Sequence, residues 1–405
     1  MIKVLILLFQ FCALMTINAQ NKIVLSNTNI IDGISMSEKK NMMVFISNGK
    51  IESIKKAGSK YKGYYLVDLK GMYLLPGFID AHTHIRSLDA AKRALESGVT
   101  TTRSASTPYF QDVSIREMVK SGALVGPDMI ATGVFVTPNL GETILADIRL
   151  KDLFGGVNND DELRKVVQVN AERGVDFIKT RGTERAGLPQ TDPRKQTYTE
   201  SQLKIIVDEA KKFNIPVMAH AHGDEGGYAA VKAGVKSIEH GTYLTERTLK
   251  LMKRMDTFLV PTFTTVVDLT QPGGDYDDPV LIIRGQHMLP SLEKTIKMAY
   301  KMGIKIATGA DTGYGPNSTT RVGMEITNFV NLGMKPIDAI QSATIIGAEL
   351  LGIANKTGTI SIGKEADLIV VTSNPLNDIR TIQDVVFVMS NGKIGLNRLP
   401  FEKDN

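Results

Sequence analysis

The chain contains six histidines, and five of them, His82, His84, His220, His222 and His240, fall at or just after the ends of segments that read as β-strands. Neutral imidazole is a ready metal ligand, and a carboxylate beside it can serve as ligand or as general base. His82 and His84 are two apart, so on a strand both rings point to one face and can meet one ion. His220 and His222 repeat that spacing. A His-X-His pair standing alone also fits buried core histidines, so the surroundings decide between the readings. Asp311 ends the run Thr308-Gly309-Ala310-Asp311 and fits either a carboxylate ligand or the cap of the turn that follows. Lys179 closes Asp176-Phe177-Ile178-Lys179. As a free amine it is cationic and cannot ligate, and the plain reading is a lysine snorkelling from a strand end. His287 stands in a long loop with no strand partner, as a surface or substrate-facing residue.

These residues need a scaffold that brings strand ends together. From Phe78 onward strands and helices alternate: Phe78 to His84, Val99 to Arg103, Met129 to Val136, Asp176 to Thr180, Pro216 to His222, Ser237 to His240, Phe258 to Phe263 and Lys305 to Gly309 read as eight strands. Helical patterns fall between most of them, among them Thr199 to Phe213, opened by the capping box Thr199-Glu200-Ser201-Gln202. The alternation predicts an α/β fold, a (β/α)₈ TIM-type barrel, whose chemistry sits at the C-terminal strand ends. No glycine fingerprint of a dinucleotide site follows any strand. Both chain ends are β-rich and punctuated by Asp32-Gly33, Asn48-Gly49 and Asn391-Gly392, which predicts a small β-sandwich built from residues 20–76 and 358–405, with the barrel over 77–357. The stretch Thr264 to Leu289 is long for a strand-to-helix connection, and reads as a lid or substrate loop or as a surface insertion.

Composition narrows the function. Hydrophobic content of 42% and charged content of 22% are ordinary for a globular protein. A net charge of +5 is spread along the chain without a dense basic block, and tryptophan is absent, so nothing favours nucleic acid as a partner. Met1-Ile2-Lys3 followed by an apolar run to Ile17 and then Asn18-Ala19-Gln20 reads as a secretory leader over residues 1–19, with secreted or periplasmic placement; the run is too short for a membrane span. The single cysteine, Cys12, lies in that leader, so the remaining chain has no disulfide and no thiolate ligand. Small molecules or short peptides are the expected partners, and a homo-oligomer is compatible with the sequence.

Pro76-Gly77-Phe78-Ile79-Asp80-Ala81-His82-Thr83-His84 resembles the first-strand signature of the metal-dependent amidohydrolase superfamily. Gly98-Val99-Thr100-Thr101, Asp176 to Lys179, Ala219-His220-Ala221-His222-Gly223, Ser237-Ile238-Glu239-His240-Gly241 and Thr308 to Asp311 match it in order, and Gly358 to Val371 resembles its returning sandwich strands. The imidazolonepropionase-like and prolidase-like group is the most similar. The resemblance implies that His82 and His84 hold one metal, and that Lys179, carbamylated by CO₂, bridges to a second. By the same resemblance His220 and His240 bind the second ion, while Asp311 completes the first site and acts as general base. Two divalent ions, Zn²⁺ by ligand type, then activate a hydroxide and polarise an amide carbonyl. His222 shares the face of His220, and either can be the ligand, His220 being preferred with His222 near the substrate.

The chain departs from that pattern at two places. Arg103 is followed by Ser104 rather than Asp, and Val136-Thr137-Pro138-Asn139 replaces a Gly-Gly-His. These positions bear on substrate more than on metal. Arg181 and Arg185 are candidates to read a substrate carboxylate, and Tyr228 and Tyr243 are candidates for substrate contact. The expected reaction is amide hydrolysis of a small peptide or N-acyl amino acid. A mononuclear deaminase or cyclic-amide hydrolase, a lactonase or phosphoesterase on the same site, and a non-catalytic binding protein are the alternatives.

Overall fold

A computed structural model describes residues 22–399, so the expected leader lies outside the described residues. The N-terminal part forms β1 (Lys22–Ile30), β2 (Lys39–Ser47), β3 (Lys50–Lys56), β4 (Tyr65–Asp68) and β5 (Tyr73–Pro76). The central part runs β6 (Phe78–Thr83), α1 (Leu88–Glu96), β7 (Val99–Ser104), α2 (Gln111–Lys120), β8 (Asp128–Ile130), α3 (Asp160–Glu172), β9 (Ile178–Arg181) and α4 (Glu200–Lys212). It continues through β10 (Val217–Ala221), α5 (Asp224–Ala233), β11 (Ser237–His240), α6 (Glu246–Met255), β12 (Phe258–Val260), α7 (Phe263–Asp268), α8 (Pro279–Lys301), α9 (Val322–Asn331), α10 (Pro336–Ser342) and α11 (Ile345–Leu351). The chain returns as β13 (Leu368–Val371), β14 (Val385–Ser390) and β15 (Lys393–Asn397).

The two ends of the chain meet in one hydrogen-bonded sheet of order β15-β14-β13-β5-β1-β2-β3, with β4 also on β1. Antiparallel pairing of β13 with β5 aligns Leu368 with Pro76 and Val371 with Tyr73. Ile23, Leu25, Val44, Ile46, Leu74, Leu368, Val370 and Phe387 form its buried core. β3 and β15 were not expected as strands. Each follows an Asn-Gly pair in the left-handed region (Asn48 φ 51, Gly49 φ 78; Asn391 φ 51, Gly392 φ 73), the backbone of a tight hairpin turn. Their composition hides them: β3 is an edge strand, and its lysines suit an exposed edge while blurring the alternation.

The central strands form two parallel sheets, β6-β7-β8 and β9-β10-β11-β12. Backbone hydrogen bonds run across both gaps. After β8, Asp176 N–H donates to Ala131 (2.8 Å) and Val136 N–H to Lys179 (2.9 Å). On the other side Leu259 N–H donates to Lys305 (3.0 Å), Ala307 N–H to Leu259 (2.9 Å) and Ala81 N–H to Thr308 (2.9 Å).

Three expected strands differ from expectation. Phe258 to Phe263 is strand only over Phe258–Val260, because the chain turns at Thr262 (φ 47) and Phe263 begins α7. Met129 to Val136 is regular only over Asp128–Ile130, because side chains take over its ladder: Asp112 accepts from Thr132 and Gly133 N–H (both 2.9 Å), and Asn170 both accepts from and donates to the Val134 backbone. Lys305 to Gly309 is no regular strand but carries an isolated bridge at Ile306. Here the chain leaves β geometry to aim Asp311, whose φ is 45, and Gly309 is tight enough that a Cβ would lie 2.7 Å from the His82 Cβ. The helices begin where local chemistry dictates. Asn159 with Glu162 and Thr199 with Gln202 form full capping boxes on α3 and α4.

α5 is drawn against the end of β9 by a glycine–glycine contact, since a Cβ on Gly226 would lie 2.2 Å from the Gly182 carbonyl oxygen. Gly226→Ala is expected to destabilise the protein by about 1–3 kcal/mol through overpacking. Urea unfolding measures it, and an unchanged midpoint would mean that the two backbones do not need to approach so closely.

Candidate metal centre

β6 delivers His82 and His84 to the mouth formed by the strand ends. His82 Nδ1 lies 2.7 Å from Oε2 of Glu239, and His84 Nδ1 lies 3.1 Å from the carbonyl oxygen of Ser106. Carbonyl and ionised carboxylate only accept, so both Nδ1 atoms carry the proton and both Nε2 atoms keep a lone pair. Those Nε2 atoms face Oδ1 of Asp311 at 3.4 and 3.1 Å. Burial opposes the charge on Asp311, but His82, His84 and Lys179 beside it outweigh burial and hold its carboxyl well below the usual range. Asp80 ties the segment bearing Asp311 to β6, accepting from His82 N–H (3.1 Å), Ala310 N–H (3.0 Å) and the Tyr314 hydroxyl (2.7 Å).

A second cluster faces the first. His220, His222 and His240 lie with ring centroids 4.5–4.9 Å apart, and each offers a ligand atom within 4.8 Å of the others. His220 Nε2 is 2.9 Å from the carbonyl oxygen of Glu184, which fixes the proton there and leaves Nδ1 as the donor atom. His222 and His240 place Nδ1 on the hydroxyls of Thr242 (2.8 Å) and Thr262 (2.7 Å). Burial lowers the pKa of all three, His222 to about 3 and His220 and His240 well below the usual value; burial and the charge of Lys179 bring His82 to about 4. The imidazoles are therefore neutral, the form that ligates. The sequence preferred His220 to His222; the structure brings both within reach of His240.

Lys179 stands among these groups on β9. It is 2% exposed, and its Nζ has no hydrogen-bond partner. Burial, its largest influence, lowers the amine to about 7 despite the nearby charges of Glu239 and Asp311. Lys179, both histidine clusters and Asp311 line one cavity of about 290 Å³.

The support of this centre was not anticipated from sequence. Arg103, fully buried at the end of β7, donates to Oε1 of Glu239 (2.9 Å), and the Ser237 hydroxyl donates to the same oxygen (2.5 Å). Burial would raise the Glu239 carboxyl, but Arg103 and His82 bring it down to about 2. Glu239 therefore balances a buried guanidinium and orients a candidate ligand at once. Only its place beside His240, and the arginine at a strand end, could have signalled it. Thr242 and Thr262 carried no signal at all.

Of the expected substrate residues, Arg181 and Arg185 line the cavity. The Arg181 guanidinium stacks over Phe135 at 4.6 Å, and its Nε has no partner. Tyr228 lies under Arg247 (3.8 Å), Tyr243 bonds His287 (3.1 Å), and neither tyrosine is among the cavity-lining residues.

Residues 73–395 match the family model described as the amidohydrolase family. The chain belongs to that family. As an amidohydrolase it is a metal-dependent hydrolase of carbon–nitrogen bonds. It is 28% identical over 363 residues to ochratoxinase of Aspergillus niger, covering 79% of this chain and 75% of that protein. It is 22% identical over 379 residues to imidazolonepropionase of Thermoanaerobacter pseudethanolicus, covering 83% and 85% respectively. Among solved structures it is similar to a Xaa-Pro dipeptidase with methionine bound in the active site, with a TM-score of 0.83 and 29% identity over 92% of this chain and 99% of that one.

Arg103→Met would strand the charge of Glu239 in the interior, and should cost about 3–5 kcal/mol of stability. Chemical denaturation measures this, and a wild-type midpoint would show that Glu239 does not depend on Arg103.

Proposed function

We propose that this amidohydrolase is an exported enzyme that cleaves the amide bond of a short peptide or an N-acyl amino acid, using two divalent metal ions, Zn²⁺ by donor type, on a (β/α)₈ barrel. The observation that carries the reading is the pair of ligand clusters facing one cavity, with the partnerless amine of Lys179 between them. Neutral imidazoles and a carboxylate suit Zn²⁺. His82, His84 and Asp311 would hold one ion, and His220 and His240 the other, with His222 beside them. An amine lowered to about 7 is about half neutral at pH 7, the form that adds CO₂, and the carbamate so formed is the anion that would bridge. When bound, such ions supply Lewis acidity and make a water nucleophilic at neutral pH.

The chain's own groups account for the rest. Asp311, kept ionised, accepts a proton at the attacking oxygen and passes it to the leaving amine. Arg181 and Arg185 offer fork donors to a substrate carboxylate, and Phe135, Leu140, Val266 and Leu269 offer an apolar wall to its side chain. A mononuclear deaminase or cyclic-amide hydrolase keeps Lys179 as a free amine, and the absence of any hydrogen-bond partner for that amine favours the bridged site. The apolar run before Asn18-Ala19-Gln20 supports export.

A library of dipeptides and N-acyl amino acids tested on metal-loaded protein decides the reaction. Hydrolysis is expected, with Asp311→Asn reducing kcat by about 10²–10⁴-fold. Turnover confined to cyclic amides or to deamination would contradict the reading.

A further inference from the structure

Tyr276 belongs to the connection between α7 and α8, yet it lines the cavity of the metal centre. That position is fixed on several sides. Asp275 next to it accepts from the Ser318 hydroxyl (2.7 Å), Ser318 in turn bonds Thr312 (2.9 Å), the residue after Asp311, and Asp275 N–H donates to Asp268 (2.8 Å). Asp278 N–H donates to the Tyr276 carbonyl (2.9 Å), and the Asp278 side chain caps α8. From α8, Arg284 donates to four carbonyl oxygens of the facing loop, those of Ala186, Leu188, Pro189 and Thr191. The clamp holds Gly187 against the Tyr276 ring, where a Cβ would lie 2.8 Å from Cε1.

Among the described residues the Tyr276 hydroxyl makes no hydrogen bond, and the residue lines the same cavity as Asp311. A phenol keeps its proton near neutral pH and so stands there as a neutral donor. Tyr276 and Asp311 thus line the same cavity, with both histidine clusters around it.

We propose that Tyr276 is a catalytic residue whose hydroxyl donates a hydrogen bond to the amide oxygen of the substrate as that oxygen gains negative charge. The assignment rests on the amide-hydrolase reading. A neutral donor held in place by its loop needs no reorganisation as charge develops, and so strengthens in the transition state more than in the ground state. No bond is made or broken by the phenol, and it keeps its proton throughout. The same fixed ring would let Gly187 control the reaction from a distance, since any side chain at 187 moves the donor.

Tyr276→Phe is expected to lower kcat about 10–100-fold with KM nearly unchanged. A phosphonate analogue of the best dipeptide, which presents a tetrahedral oxyanion, should bind Tyr276→Phe weaker by a similar factor, while the free product amino acid binds both proteins alike. Gly187→Ala should reproduce the kcat loss and add little on top of Tyr276→Phe. Full kcat in Tyr276→Phe, or equal weakening of analogue and product, would overturn the role of Tyr276 while leaving amide hydrolysis standing. A wild type inactive on the whole amide panel would overturn both.

Discussion

Burial of charge is the constraint around which the centre of this protein is arranged. Two basic side chains, Arg103 and Lys179, and two carboxylates, Glu239 and Asp311, lie in the strand-end core, where an unpaired charge is costly. One half of the set is closed: Arg103 and Glu239 neutralise each other at 2.9 Å, and the spare oxygen of Glu239 holds His82. The other half is open. Asp311 lies against the imidazoles of His82 and His84, and the Lys179 Nζ has no hydrogen-bond partner, its amine lowered to about 7. The closed pair braces the site, and the open one holds the groups to which the proposed chemistry is assigned.

The backbone serves the same end. His240, Thr262 and Asp311 all adopt positive φ (73, 47 and 45), conformations that residues with a Cβ rarely take and that cluster at functional sites. Each sits where a strand ends and a side chain must turn into the cavity. Their neighbours hold them there: Asp311 N–H donates to His82 (2.8 Å), and Glu325 accepts from the N–H groups of Phe263 and Thr264 (2.8 and 2.7 Å), just after Thr262. The irregularity of the segment 305–312 thus follows from its task. A regular strand would satisfy more backbone groups but would leave Asp311 pointing elsewhere.

Much of this was legible in the chain. The run ending in His82-Thr83-His84 and the ordered matches after it identified the amidohydrolase family, and strand periodicity located most of the elements. Every metal-ligand candidate read from sequence lines the same cavity. Other features were hidden because they depend on distance in space. Glu239 reads as one more polar residue on a strand, and only the fold brings it to Arg103 and His82, far away in sequence. The stretch Thr264 to Leu289, read as one long connection, is mostly helix, with α7 and α8 flanking a short loop and His287 lying on α8, and nothing in the sequence names Tyr276 as the loop residue that lines the cavity. Strand β3 was masked by its lysine-rich edge composition, and β15 by its shortness and the glycine, Gly395, at its centre. Tyr228 and Tyr243, candidates for substrate contact, instead pair with Arg247 and His287, the first from a helix and the second from the turn after β11.

The central claim is that Lys179 joins the two ligand clusters into one two-metal site. Elemental analysis of metal-reconstituted wild type and of Lys179→Ala, with both proteins shown to be folded, tests it most directly. The account predicts two equivalents of metal per chain in the wild type and loss of one in the variant. A single equivalent in both, or two tightly held equivalents in Lys179→Ala, would contradict it.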